Sequence, residues 1–155
     1  MRAMHRVVSL LIALALITTA CAGDDGAGEY LGNVAAINET MARDTFAALP
    51  RDADPTWDRV QGVFRARSAG LGSLSELTPP ERLSVHHDAY VITLRALIDE
   101  MKRFMVDTQD LDDESFLNAL AGTETLRALA EAVGRACSAL QAEGNETGPG
   151  TELRC

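Results

Sequence analysis

The stretch TPPERLSVHHDAYVITLRALIDEMKRFMVDT, residues 78–108, decides the fold. Leu83, His87, Tyr90, Leu94, Leu97, Met101, Phe104 and Thr108 recur at alternating spacings of four and three, and Ile98 and Met105 broaden the stripe. That period is the signature of one face of an α-helix. Thr78-Pro79-Pro80-Glu81 matches a capping box: Thr78 as cap, Glu81 reaching back, and prolines where helical amides have no partner. The spacing predicts a helix of about 28 residues, roughly 40 Å long at 1.5 Å per residue, as the spine of the domain.

Upstream, Asp54-Pro55 predicts a helix start, with the aspartate accepting a free amide and proline in the first turn. Trp57, Val60, Phe64, Leu71 and Leu74 then line one face. Gly70 and Gly72 each cost about 1 kcal/mol relative to Ala, so a break near Ala69 is expected. Earlier still, Tyr30, Val34, Ile37 and Met41 define an amphipathic helix over Tyr30 to Leu49, with Pro50 as its stop.

Downstream, Gln109 to Glu114 is an acidic connector, and Asp113 to Ala121 is expected as a short helix presenting Phe116, Leu117 and Leu120. After Gly122-Thr123, Leu126, Ala130, Val133, Cys137 and Leu140 form a last stripe expected to end at Gly144, a common helix terminator. Asn145 to Gly150 is polar and glycine-rich, and the tail returns to Leu153 and Cys155. No period-2 apolar run of useful length occurs. The fold class expected is all-α: an up-down antiparallel bundle of about four main helices plus one short helix.

The N-terminus sets the compartment. Arg2 and Arg6 precede an apolar run from Val7 to Ile17, interrupted only by Ser9, and Thr18, Thr19 and Ala20 lead to Cys21. This is the three-part pattern of an export signal, too short for a spanning helix of about 20 apolar residues. The small residues before Cys21 resemble a bacterial lipobox, although Thr18 stands where that pattern prefers Leu. The resemblance implies removal of residues 1–20 and acylation of Cys21. Ala20-Cys21-Ala22 also satisfies small-x-small cleavage, which would release a secreted soluble protein without Cys21.

Three cysteines is an odd count for an exported chain. With Cys21 acylated, Cys137 and Cys155 remain as an even pair in an oxidising compartment, where a disulfide is expected. Removal of residues 1–20 takes away two arginines and no acid, leaving 12 basic and 23 acidic residues, a formal charge of −11. Such a domain is a poor partner for nucleic acid and is repelled by an anionic bilayer, so membrane attachment falls to the lipid. Ala22 to Gly28 reads as a flexible tether with a mean span of roughly 15 Å. The organisation expected is signal peptide 1–20, lipidated cysteine and tether 21–28, and helical domain 29–155 with a disulfide-pinned tail.

Leu74-x-x-Leu77-Thr78-Pro79-Pro80, then Leu83, His87 and Tyr90, then Ala136-Cys137-x-x-Leu140 and a terminal Cys155 resemble small helical lipoproteins and secreted proteins of actinobacterial type. The resemblance spans most of the mature chain and implies fold and compartment. It carries no catalytic residues. Relatives of that type often hold a further cysteine in the first helix; its absence from Tyr30 to Leu49 leaves Cys137 and Cys155 to each other.

His86-His87-Asp88 offers metal-ligand chemistry, but adjacent helical residues diverge by about 100°, and no i, i+3 or i, i+4 pair of strong ligands includes His87. A core-edge histidine, hydrogen-bonded across the bundle, is the expected role. Asp110, Asp112, Asp113 and Glu114 lack the glycine and the twelfth-position glutamate of a calcium loop. Gly-x-Ser-x-Gly is absent, and Met101, Phe104 and Met105 read as core. Asn38-Glu39-Thr40 and Asn145-Glu146-Thr147 match the glycosylation sequon, which carries little meaning in a bacterial chain. The functional expectation is a lipid-anchored, extracytoplasmic binding or structural module without a catalytic constellation or cofactor. The alternative is a metal- or small-ligand-binding envelope lipoprotein that uses His87 and Tyr90.

Overall fold

The computed structural model describes residues 26–146 and 151–155, and the export segment and Cys21 lie outside them. The described residues form five α-helices and one 3₁₀ turn, in order α1 (Ala27–Ala48), α2 (Trp57–Ser75), the turn Glu81–Leu83, α3 (Ser84–Thr108), α4 (Asp113–Ala121) and α5 (Glu124–Asn145). There is no strand among the described residues. The protein is an all-α bundle, as the apolar periods require.

Cross-helix approaches fix the directions. Gly62 near the start of α2 lies against Ala48 at the end of α1, and the Trp57 indole of α2 reaches the Met105 carbonyl of α3 at 3.1 Å. Gly144 of α5 lies against Leu31 of α1, and Arg82 at the start of α3 meets the Glu143 carbonyl of α5 at 3.2 Å. In each pair an early residue meets a late one. Helices α1, α2, α3 and α5 therefore run up, down, up and down, each antiparallel to its neighbours around the ring.

The spine behaves as its period dictates. Every residue of the α3 stripe from Leu83 to Thr108 is buried, and Leu83 and Leu94 are fully excluded from solvent. Both of its ends are tied to neighbours. The Trp57 indole N–H satisfies Met105, one of the four terminal carbonyls of α3 that have no helical donor, and the Arg82 guanidinium does the same for Glu143 of α5.

Four local expectations are corrected. The capping box at Thr78 does not form: Pro80 is extended at φ −56°, ψ 148°, and the chain enters through the 3₁₀ turn, closed by Leu83 N–H to the Pro80 carbonyl at 2.9 Å. Consecutive prolines hold Thr78 and Pro79 out of the helical region, so the α-helix waits until Ser84. The cap of α2 is Thr56 instead of Asp54, its hydroxyl accepting from Arg59 N–H at 3.4 Å, while the Asp54 carbonyl accepts from the Arg59 guanidinium at 2.6 Å. Helix α1 starts at Ala27, which is buried, so Ala27 and Gly28 belong to the bundle and not to a tether. In α5 Ala130 is exposed and Leu129 packs in its place, because the buried stripe is Val133, Cys137, Leu140 and Gly144.

Two glycines have roles opposite to those expected of them. Helix α2 runs through Gly70 to Ser75, since Gly70 is buried and a Cβ there would stand 2.7 Å from the Met41 sulfur. Helix α5 does end one residue past Gly144, at Asn145, but Gly144 itself is buried in the helix, and its missing Cβ admits the Leu31 side chain. Close helix approach outweighs the propensity cost at both positions. Elsewhere in α5, Gly134 faces open space. Gly134→Ala should therefore raise the stability by about 0.5–1 kcal/mol through propensity alone. Gly144→Ala should lower it, because overpacking costs about 1–3 kcal/mol. Urea unfolding midpoints check the opposite signs of these two changes.

Candidate functional site

The buried polar groups of α1 and α3 gather where the C-terminal tail docks. Asn38 sits on the inner face of α1, one turn from Val34, and is 3% exposed. Its amide nitrogen donates to the Leu153 carbonyl of the tail at 2.8 Å and lies 3.5 Å from Cys137 Sγ, and its carbonyl accepts from the Tyr90 hydroxyl at 2.8 Å. One carboxamide thus joins α1, α3, α5 and the tail. Burial holds the Tyr90 phenol up at about 12, offset in part by the Asn38 hydrogen bond and by Arg67, so the hydroxyl keeps its proton and donates.

One turn earlier on α3, His87 Nδ1 lies 2.7 Å from Tyr30 Oη of α1, with the rings edge-on at 5.9 Å between centroids. Burial raises the Tyr30 pKa and lowers that of His87, the latter against an opposing pull from Asp88. The phenol is therefore the donor and the imidazole a neutral acceptor with its proton on Nε2. His87 takes the place of a core-edge histidine bonded across the bundle. His86 faces outward, 3.8 Å from Glu143. His87 and Tyr90 engage different partners on α1, and among the described residues no group of three His, Cys, Asp or Glu side chains is placed to hold a metal ion.

The tail is fixed at three points. Cys137 and Cys155 form a disulfide with their Cα atoms 5.5 Å apart. Leu153 is fully buried, and its N–H donates to Gln141 Oε1 at 3.3 Å. Closing a loop of this length contributes about 3 kcal/mol in the chain-entropy account. The remaining candidates have structural places. Asp112 caps α4 by accepting from Ser115 N–H at 2.8 Å, which holds its carboxyl below the usual range. Met101, Phe104 and Met105 are core, with Phe104 packed on Phe116, while Leu117 is partly exposed. Burial of Asn38 removes the first sequon as a glycan acceptor.

Beside Asn38 and Tyr90 a half-open pocket of about 210 Å³ lies between α1, α5 and the tail, with Arg67 of α2 reaching into its lining. Thr45, Phe46, Arg67 and Arg154 reach it together with the disulfide. Arg67 escapes a reading of the sequence by apolar residues alone. The signal was nonetheless present: Val60, Val63, Arg67, Gly70 and Leu74 alternate by three and four, and the other four are the buried residues of α2. Asn38 interrupts the α1 stripe in the same way. Compared with protein-family models, with curated proteins and with solved structures, the chain matches none of them.

Two outcomes follow for the buried network. Tyr90→Phe should cost about 1–3 kcal/mol by orphaning the Asn38 carbonyl. Asn38→Ala should cost more, since it orphans Tyr90 and Leu153 together, and the double variant should lose less than the sum by about 0.5–3 kcal/mol. Urea denaturation of the four proteins measures that coupling. For His87, a folded pKa below the ordinary 6.5 means that the unfolded chain binds the proton first. Its contribution is complete above pH 6.5 and is lost as pH falls through the lowered folded value. The urea midpoint should decline with acidification below about pH 6.5, and His87→Gln should flatten that part of the profile.

Proposed function

We propose that the protein is a lipid-anchored module on the extracytoplasmic face of a membrane, attached through Cys21 and acting by binding. The observation that carries the reading is the bond between Cys137 and Cys155. A disulfide belongs to an oxidising compartment, and it accounts for two of three cysteines, leaving the one that follows an export-like segment. The resemblance of residues 1–21 to a lipobox supports the same assignment.

An anchor of this kind suits the charge of the domain. With 12 basic and 23 acidic residues beyond the signal, the chain gains nothing from an anionic surface. No helix among the described residues is long and apolar enough to cross a membrane. Acyl chains contribute about 0.8 kcal/mol per buried CH₂ and hold a protein independently of its surface charge.

Metabolic labelling with an azide-bearing fatty acid tests the anchor. The wild-type chain should carry label and sediment with membranes, and Cys21→Ser should do neither. An unlabelled wild-type protein in the medium would establish the secreted alternative instead.

A further inference from the structure

The half-open pocket beside the tail is chemically unlike the rest of this acidic protein. None of the residues lining it is acidic, and two are arginines, in a chain with 23 acids and 14 bases. Arg67 enters from the buried stripe of α2, between Val63 and Gly70. Among the described residues it has no hydrogen-bond or ion-pair partner, and burial lowers its pKa from the ordinary arginine value. Arg67 is half-buried, and its guanidinium, which lines the pocket without an acceptor among the described residues, has its donors available to a ligand.

Two independent observations fall on the same pocket. The Thr45 hydroxyl is buried with no hydrogen-bond partner. Arg154 is the one non-glycine residue with positive φ among the described residues, at 49°, held there between buried Leu153 and the disulfide at Cys155. Sparsely populated backbone of this kind clusters where a binding surface is constrained. The Arg154 side chain also lines the pocket, and its ion pair with Glu39 at 3.8 Å is exposed on both sides, which binds it only weakly.

We infer that this pocket binds a small carboxylate with a compact apolar body. The planar guanidinium of Arg67 matches a carboxylate in two-point geometry, and the Thr45 hydroxyl supplies a further donor. Met41, Phe46, Val133 and the disulfide form apolar walls for the body of the ligand. At about 210 Å³ the space lies below the roughly 300–1,000 Å³ of pockets for drug-sized molecules, which restricts the class to small acids. The site rests on the binding half of the proposed function and is independent of the anchor.

Benzoate is the probe, titrated into the full chain purified in detergent and followed by ¹H–¹⁵N NMR, including the Arg67 Nε resonance. Benzoate should saturate, with shifts centred on Arg67, Thr45 and Arg154. Benzamide, which has the same shape without the charge, and inorganic phosphate, which lacks the body, should each bind at least about tenfold more weakly. Arg67→Met retains the stem and should lose benzoate by at least about tenfold while unfolding no earlier than wild type, because it removes a half-buried charge that has no partner among the described residues. Thr45→Val, of equal shape, should weaken benzoate several-fold at unchanged stability. Equal binding of benzoate and benzamide, phosphate as tight as benzoate, unchanged affinity in folded Arg67→Met, or no saturation by wild type would each overturn the assignment. The benzamide comparison and Thr45→Val decide the matter should Arg67→Met fail to fold. Acylation at Cys21 is read separately, so failure of one leaves the other standing.

Discussion

A carboxamide taken out of water must find its partners inside, and Asn38 finds them on α3, α5 and the tail at once. Apolar stripes decide that four helices pack together, but they tolerate sliding by a turn. Directional hydrogen bonds do not, because a shift of one turn would leave the Tyr90 hydroxyl, the Asn38 amide and the Leu153 carbonyl buried and unpaired. The disulfide at Cys137 then holds the tail within reach of that amide. Register of the bundle and docking of the tail are thus one constraint.

The pocket is a by-product of that docking. Arg154 and Cys155 can line it only because Leu153 is buried and Cys155 is bonded. Arg67 approaches from the opposite side, on the one face of α2 where a charge is hardest to accommodate. The bundle therefore carries two kinds of buried polarity. The pairs at Tyr30–His87 and Tyr90–Asn38 are satisfied internally, while the half-buried Arg67 guanidinium and the buried Thr45 and Ser68 hydroxyls have no partner among the described residues.

Much of this was legible in the sequence. The α3 stripe from Leu83 to Thr108 is buried residue for residue, His87 is bonded across the bundle, and Cys137 pairs with Cys155. Periodicity is reliable there because a long helix surrounded on most sides must be apolar on its whole inner face. What escaped was of two kinds. Helix ends depend on competition between neighbouring caps and prolines, which displaced the starts at Asp54 and Thr78. Glycine and polar residues on inner faces carry no apolar signal, so Gly70, Gly144, Asn38 and Arg67 are read only by asking which residues complete a three-four pattern. Those same residues set the helix contacts and the candidate site.

The claim that Asn38 pins the register is tested most directly by hydrogen exchange at its side-chain amide, resolved by NMR. The account predicts that the Asn38 Nδ2 protons exchange only through opening of the core, at rates like those of the backbone amide of Leu94. Exchange as fast as that of the exposed Asn118 side chain would contradict it and would reduce the network at the tail to a loose surface contact.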